Sequence, residues 1–597
     1  MMKFEAMDIE TIWINNISYP YVISMSKNGK ILSYVTRIEN IYEHECLMFM
    51  LKNCVSSKIY YVHNLTFESI TFLKGLKDLK IKYKLIMSNK IVYQMTIWYK
   101  NKKIIFKCSY RLTLLPLAKL AQIASLDDKG VYPYEILNIN FENYNMGDLT
   151  EKHFKSLQDF EFFKNKHHKN SDLIQILVEY CKNDVFITKN SVIKYWELLE
   201  SFGIKYKRHF LTAAKISLEN FFMSKTIVRK KLDLKLDNII RKAYFGGRTE
   251  VFGNQKKDEI ALHFDWSGMY AQCMREKVLA GKIYQSNTFL NFSKPGFYHI
   301  EFIQNMEFPI LPIKRDKLLF ANGCFEGWYW FEEIQLFINN GGEILKVNSA
   351  IYGDFYDNFL ENFIDKNDKI RELGGLYKQI GKNNNNTFYG RLGMHPLKTS
   401  EIITSEKVKN YISMSVINGV KVYKTEQEKA FSNVSISAAI TAKARIKLYK
   451  GFIEVIKIGG RLLYCDTDSI IAAFHKKNYE NMLNKQFGEV FFDINNEDTI
   501  IEKSVFALPK TYALKFKSGK EIVKIKGFNS TPNFDEFENA FYNGNEIITF
   551  NNQWSRKNMV IDRSLIEKKI NIGNLEKRIW SDCKKNTIPL KIESSVK

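Results

Sequence analysis

Residues 461–474 read RLLYCDTDSIIAAF. Apolar, β-branched and aromatic residues on either side of a short polar break predict strand, turn, strand. Asp466 and Asp468 stand one residue apart in that break, where mutual repulsion and desolvation both oppose a carboxylate pair. Taken alone, the stretch is satisfied by a tight turn with its acids in solvent. Strand alternation would instead put residues 466 and 468 on one face, so that their carboxylates converge. Such a pair is costly without a cation.

A third acid of the same kind, Asp265 in HFDWSGMY, ends another apolar strand pattern. Three aspartates on adjacent strand ends could hold two divalent ions about 3.5–4 Å apart, the arrangement that activates a 3′-hydroxyl and steadies a leaving pyrophosphate. In KNNNNTFYG, Lys382, Asn386 and Tyr389 fall at i, i+4, i+7, and Lys378 extends the series one turn back. All four line one helical face, with ammonium groups to grip a triphosphate and a ring to pack on a base pair. Singly, each is an ordinary solvated helix position; their order along the chain, with Lys510-x-Tyr512 downstream, is what carries weight.

The bulk composition agrees. At 597 residues the chain exceeds the size of a single core, so an α/β and α+β multidomain protein is expected. A net charge of +23 indicates a polyanionic partner. No apolar run reaches the roughly 18 residues of a membrane span, which favours nucleic acid over a lipid surface. The eight cysteines include no C-x-x-C pair and read as free thiols in a reducing compartment. The N-terminus, MMKFEAMDIET, shows neither a secretory nor a transit signal. Scarce proline and abundant Lys, Asn and Ile fit A/T-rich coding, to which the Asn383–Asn386 run is also ascribed.

Strands mixed with helices over the first 190 or so residues suggest an α/β domain. Within it, KFEAMDIETIWI reads as a buried strand, KIYYVHNLTFESITFL as a strand entering a helix, and SDLIQILVEYCKNDVFITKNSVIKYWELLESF as a long amphipathic helix. EIALHFDWSGMYAQCM reads as a strand entering a helix, and IRELGGLYKQIGKNNNNTFYGRLG as one polar helix ending near Gly390. DIET puts Asp8 and Glu10 on one strand face, and YCKND puts Tyr180 and Asp184 at i, i+4. Carboxylates with a tyrosine suit two-metal phosphodiester hydrolysis, the tyrosine orienting a water.

These residues reach a known family. YCDTDS resembles motif C of family B DNA polymerases, DWSGMYA resembles motif A and KNNNNTFYG resembles motif B. YFGGR, Tyr244 to Arg248, is similar to the Y-x-G-G linker between exonuclease and polymerase, KTY at Lys510–Tyr512 to the K-x-Y motif, and ITAKAR, residues 440–445, to the helix before motif C. The resemblance implies an N-terminal ribonuclease H-like 3′-5′ exonuclease followed by a right-hand polymerase. It makes Asp265, the Trp266 carbonyl and Asp468 the polymerase metal ligands, with Asp466 in support. Tyr270 would sit under the incoming sugar and exclude a ribose 2′-OH. Tyr244, Gly246, Gly247, Thr467, Lys510 and Tyr512 would contact DNA. Gly268, Met269, Ala271 and Thr387 depart from the family pattern but spare the carboxylates and the tyrosine.

In the exonuclease, the resemblance implies Asp8, Glu10 and Asp184 as metal ligands, Tyr180 as the water-orienting group, and Asn64 and Phe67 on the single strand. In HNLTFES, Glu68 stands where the family has Asp. A motif contacting single-stranded DNA falls within KCSYRLTLLPLAKLA, with Ser109 and Thr113 as alternative registers.

Motif A to motif B spans 117 residues, 265 to 382, and Gly390 to Asp466 spans 76. These gaps, with NFIDK at Asn362–Lys366, resemble the protein-primed branch. The implied division is exonuclease 1–200, linker and start of palm 201–260, motif A 261–279, an insertion contacting a terminal protein 280–360, fingers 361–390, a processivity insertion 391–428, palm 429–515 and thumb 516–597. Implied partners are template-primer DNA, dNTPs and a separate terminal protein as primer, acting on a monomer. Implied cofactors are two Mg²⁺ or Mn²⁺ ions at each site. A linear plasmid in a mitochondrion, or a phage, would be the setting. Rival readings are a nucleic-acid-primed family B polymerase with weak or no proofreading, and an inactive basic DNA-binding relative; electrostatic binding alone needs none of the acids.

Overall fold

The computed structural model describes residues 4–123, 129–207, 210–224, 232–266, 268–287, 291–397, 399–426, 431–479, 500–528, 531–544, 546–555, 561–572 and 575–593. Its organising element is a seven-stranded sheet. In spatial order the strands are Glu521–Lys524, Thr511–Phe516, Ile500–Leu508, Glu259–Asp265, Ser469–His475, Arg461–Asp466 and Thr249–Val251. Alternation in these segments buries Ile260, Leu262 and Phe264 on one side and Ala261 and Ala473 on the other. The helix Val434–Lys457 packs behind the sheet, where Gly451 leaves room for the Trp266 indole; a Cβ there would sit 2.3 Å from Trp266 Cη2. This sheet continues beyond residue 516 to Lys524, so the basic Lys510–Lys524 stretch is part of the same platform as Asp265 and Asp468.

The N-terminal third builds a second, twelve-stranded sheet. Its centre is parallel: Glu5–Ile14 pairs with Ile59–Val62, which pairs with Lys102–Cys108. The amphipathic helix Leu173–Ser201 lies across it, burying Leu177, Cys181, Val185, Val192 and Trp196. Strands from distant parts of the chain extend both ends. Thr399–Thr404 pairs with Lys82–Ser88 at one side, and the hairpin Glu546–Ser555 and Asp562–Asn571 joins Ile17–Lys27 at the other.

Residues 278–357 form a separate five-stranded sheet whose last edge is taken by Lys591–Ile592. Between the sheets stand two antiparallel helices, Glu361–Glu372 and Gly375–Leu392. The expected single helix is therefore two, broken at Gly374 and Gly375, which both hold positive φ, and its second half runs two residues past Gly390. The helices touch at Gly381, where a Cβ would meet the Asn367 carbonyl at 2.5 Å. Codon drift does not account for the asparagine run. Asn384 and Asn385 are buried and bond to Asn367, at 3.3 and 2.7 Å, cross-linking the two helices.

Candidate nucleotidyl-transfer and exonuclease sites

Asp265 ends its strand opposite Ser469, and the Trp266 N–H donates to the Asp468 carbonyl at 2.9 Å. That bond fixes the two strand ends side by side. Asp466 pairs with Ser469, so Thr467 and Asp468 form the two-residue turn, with Thr467 at φ +66°. Strand alternation thus does not run through residues 466–468, and the two carboxylates have different partners. Asp466 accepts from Thr249 Oγ1 at 2.9 Å and from Lys510 Nζ at 3.0 Å. The Asp468 carboxyl is pushed up to about 6, first by burial and then by Asp265, with Lys382 acting in the opposite sense. Its environment is that of an acid awaiting positive charge.

The helix Gly375–Leu392 presents Lys378, Lys382 and Asn386 to solvent on one face, with Tyr389 half-buried below them. Tyr389 stacks on Tyr270, ring centroids 4.5 Å apart and planes 1° from parallel. Tyr244 lies against the end of this helix, its hydroxyl 2.6 Å from where a Cβ on Gly393 would be. Gly247 covers the turn: a Cβ there would stand 2.8 Å from Thr467 Cγ2, whereas Gly246 faces open space. The Thr467 N–H donates to the Arg248 carbonyl at 2.8 Å. Lys510 and Tyr512 complete the rim, Tyr512 packing on Tyr464 at 5.4 Å between centroids.

The exonuclease candidates cluster at the N-terminal sheet. Asp8, Glu10 and Cys181 offer ligand atoms all within 4.8 Å of one another. Burial, then Asp184, raises Asp8 well above the usual carboxylate range, and burial, then Asp8, does the same to Glu10. Asp184 is also buried; its Oδ2 pairs with Lys129 at 3.2 Å and its Oδ1 accepts no hydrogen bond. Tyr180 stands one turn away, its hydroxyl 2.7 Å from that of Tyr134. Glu68 is buried, and its charge adds to those that raise Glu10. Asn64, in the left-handed region at φ +70°, opens the helix that carries Phe67 and Glu68. Ser109 and Thr113 are both buried; the Ser109 hydroxyl contacts His63 Nδ1 at 3.1 Å, and Thr113 donates to the Ser109 carbonyl.

Both acid groups fit divalent cations: in the N-terminal group burial and mutual repulsion raise Asp8 and Glu10, and in the other the partly buried Asp468 is repelled by Asp265. Residues 51–481 match the family model described as DNA polymerase type B, organellar and viral. The chain belongs to that family. A protein named "Probable DNA polymerase" from Podospora anserina is 25% identical over 88% of this chain and 52% of its own length, and one from Neurospora intermedia is 24% identical over 91% and 61%. The DNA polymerase of Bacillus phage Nf is 26% identical over 49% of this chain and 52% of its own. The chain thus spans little more than half the length of these relatives. In fold, the phi29 DNA polymerase solved with primer-template DNA and incoming nucleotide matches with a TM-score of 0.69 and 17% identity, covering 96% of this chain and all of that one.

Within this type B fold the geometry adds residues that motif reading passed over. Lys129 sits in no recognised pattern, yet it pairs with Asp184 in the N-terminal acid cluster and lies over the Tyr180 ring at 5.5 Å. Arg371 reaches from the helix Glu361–Glu372 to within 3.6 Å of where a Gly268 Cβ would be. Arg445 is buried against Glu333 at 2.8 Å and donates to the carbonyls of Phe245 and Gly246, anchoring the glycine linker. An Arg within ITAKAR could have pointed to that last contact; an isolated Lys before Gly-Val-Tyr could not.

Proposed function

We propose that the chain is a DNA-directed DNA polymerase with an associated 3′-5′ exonuclease, replicating a linear genome or plasmid. The observation that carries the reading is Asp468 beside Asp265, under the influence of Lys382, with Tyr270 stacked on Tyr389 at the same place. Asp265, Asp468 and the Trp266 carbonyl would hold two Mg²⁺ or Mn²⁺ ions, whose chemistry is to lower the pKa of the attacking hydroxyl and neutralise the triphosphate.

The chain's own groups do the rest. Lys378, Lys382 and Arg371 bind the triphosphate as fixed positive charges, with Asn386 beside them. Tyr389 and Tyr270 form the floor under the incoming nucleoside, and the Tyr270 ring leaves no room for a 2′-hydroxyl. Lys510 keeps Asp466 in place, and Lys510 and Tyr512 steady the primer end. Tyr244 and Gly247 hold the turn at Thr467 against the DNA path.

In the exonuclease, Asp8, Glu10, Asp184 and Glu68 would hold the hydrolytic pair of ions. Tyr180, fixed by Tyr134 and Lys129, orients the attacking water, while Asn64 and Phe67 hold the frayed 3′ strand. Synthesis starts on the hydroxyl of a separate terminal protein, docked by the 280–360 region, and the 391–428 region confers processivity. The Podospora and Neurospora relatives and the phage polymerases support a mitochondrial or phage setting, with the chain acting as a monomer.

Primer extension with Mg²⁺ and dNTPs tests the polymerase: wild type extends, and an unchanged rate in Asp468→Ala refutes the assignment. Degradation of a single-stranded 3′ end, absent in Asp8→Ala, tests proofreading. Transfer of labelled nucleotide to a co-encoded protein tests priming; extension of oligonucleotides alone, with no such labelling, favours a nucleic-acid-primed enzyme.

A further inference from the structure

The strand Thr249–Val251 is the last of the seven, and its outer edge is closed by the C-terminal segment. The Thr587 N–H donates to the Phe252 carbonyl at 2.9 Å, and its hydroxyl donates to the Val251 carbonyl at 2.9 Å. Asn254 donates to the Lys584 carbonyl at 3.0 Å, and Arg461 donates to Asn586 Oδ1 at 2.9 Å. Arg578 is buried beside Glu250, which Arg248 also engages. Residues more than three hundred positions downstream therefore lock the strand that runs beside the Asp466–Asp468 turn.

One member of that segment contacts the strand residue that bonds to Asp466. Lys577 Nζ donates to the Thr249 carbonyl at 3.1 Å, and Thr249 Oγ1 donates to Asp466 Oδ1 at 2.9 Å. Asp466 also pairs with Lys510 and lies directly before the turn that bears Asp468. Burial pushes the Lys577 ammonium below the usual lysine range; of the charges bearing on it, Glu250 acts most strongly and in the opposite sense, while Arg248 and Lys526 add to the burial. Lys577 Nζ has a defined job in holding a carbonyl.

We propose that Lys577 is a positioning residue for nucleotidyl transfer, fixing Thr249 so that its hydroxyl orients Asp466 and the adjoining turn. The inference rests on the polymerase reading above. A lysine serving only as a phosphate grip would act on DNA affinity; one acting through Thr249 affects the reaction step. The two are separable, because loss of a phosphate contact weakens binding and lowers its salt dependence by about one unit of slope.

The test uses the full chain. Lys577→Met is expected to lower kcat for single-nucleotide insertion about tenfold, the scale of one lost hydrogen bond to a charged group. It should raise the Mg²⁺ concentration needed for half-maximal rate and leave the dissociation constant for primer-template and its salt slope unchanged. Lys577→Arg should recover part of kcat. Thr249→Val should resemble Lys577→Met, and the double variant should be no worse than the more impaired single variant, since both lie on one chain of contacts. Additive losses, a reduced salt slope with normal kcat, or loss of exonuclease activity alongside polymerisation would overturn the proposal. Thermal melting reports whether each variant is folded. Inactive wild type on primed DNA would instead refute the polymerase reading itself.

Discussion

The two carboxylate clusters use the same residue type in opposite ways. In the N-terminal cluster, Glu10 and Asp184 are buried and Asp8 is half-buried, and Lys129 pairs with Asp184. At the polymerase site Asp265 is exposed, and the positive charge bearing on Asp468 comes from Lys382 on a separate helix. A hydrolytic site need only accept water and one strand end. Under the proposed function, a polymerising site must open for each nucleotide, and its counter-charge would lie on the element that meets the triphosphate.

The largest effect that can break this comparison is a crossed knockout. Asp468→Ala should abolish primer extension, by about 10³-fold or more given how much of the rate metal-held carboxylates supply, while leaving single-strand degradation intact; Asp8→Ala should do the reverse. If either variant loses both activities, the sites are not independent. Next in size, Lys129→Ala should slow degradation by about 10²-fold, as expected of a removed preorganised charge, with extension unchanged.

The acidity of Asp468 gives a third test. Raised to about 6, this carboxyl is protonated below that value and ionised above it, and only the ionised form can ligate. At limiting Mg²⁺, the extension rate should therefore climb with pH through about 6 and level off above it. Asp265→Asn removes the neighbouring negative charge that adds to burial in raising Asp468, so the Asp468 carboxyl, titrated by infrared spectroscopy in the metal-free protein, should ionise at lower pH. The smallest effect is steric. Gly247→Ala must displace Thr467 and should reduce extension severalfold, whereas Gly246→Ala, facing open space, should leave it unchanged. Primer extension on the matched pair decides whether the linker acts through that turn.

Much of this architecture is written in short spacings. The Asp8-x-Glu10 pair, the i, i+4 placement of Tyr180 and Asp184, and the Lys378–Lys382–Asn386 face depend only on strand and helix periods, which local sequence dictates. What escaped local reading depends on chain segments far apart. Lys129 acquires meaning only when residue 184 arrives beside it. The break at Gly374–Gly375 was hidden because polar residues continue on both sides, so no amphipathic period marked the change of direction. The buried pair Asn384 and Asn385 looked like compositional noise because its partner, Asn367, lies on the preceding helix. Strand alternation would converge Asp466 and Asp468 on one face, yet residue 468 lies in the turn, where Thr467 at positive φ sets the direction instead.

The twelve-stranded sheet has a practical corollary. Its central strands come from the N-terminal third, but strands 399–426 and 546–571 are joined to it on either side. An N-terminal fragment ending near residue 200 would lose both of these neighbours. It would leave the backbone groups of Lys82–Ser88 without the partner they have in Thr399–Thr404. Uncovered strand edges recruit other edges, so such a fragment is a candidate for self-association in expression trials. Dissection of the two activities is better done by point substitution within the whole chain than by cutting it.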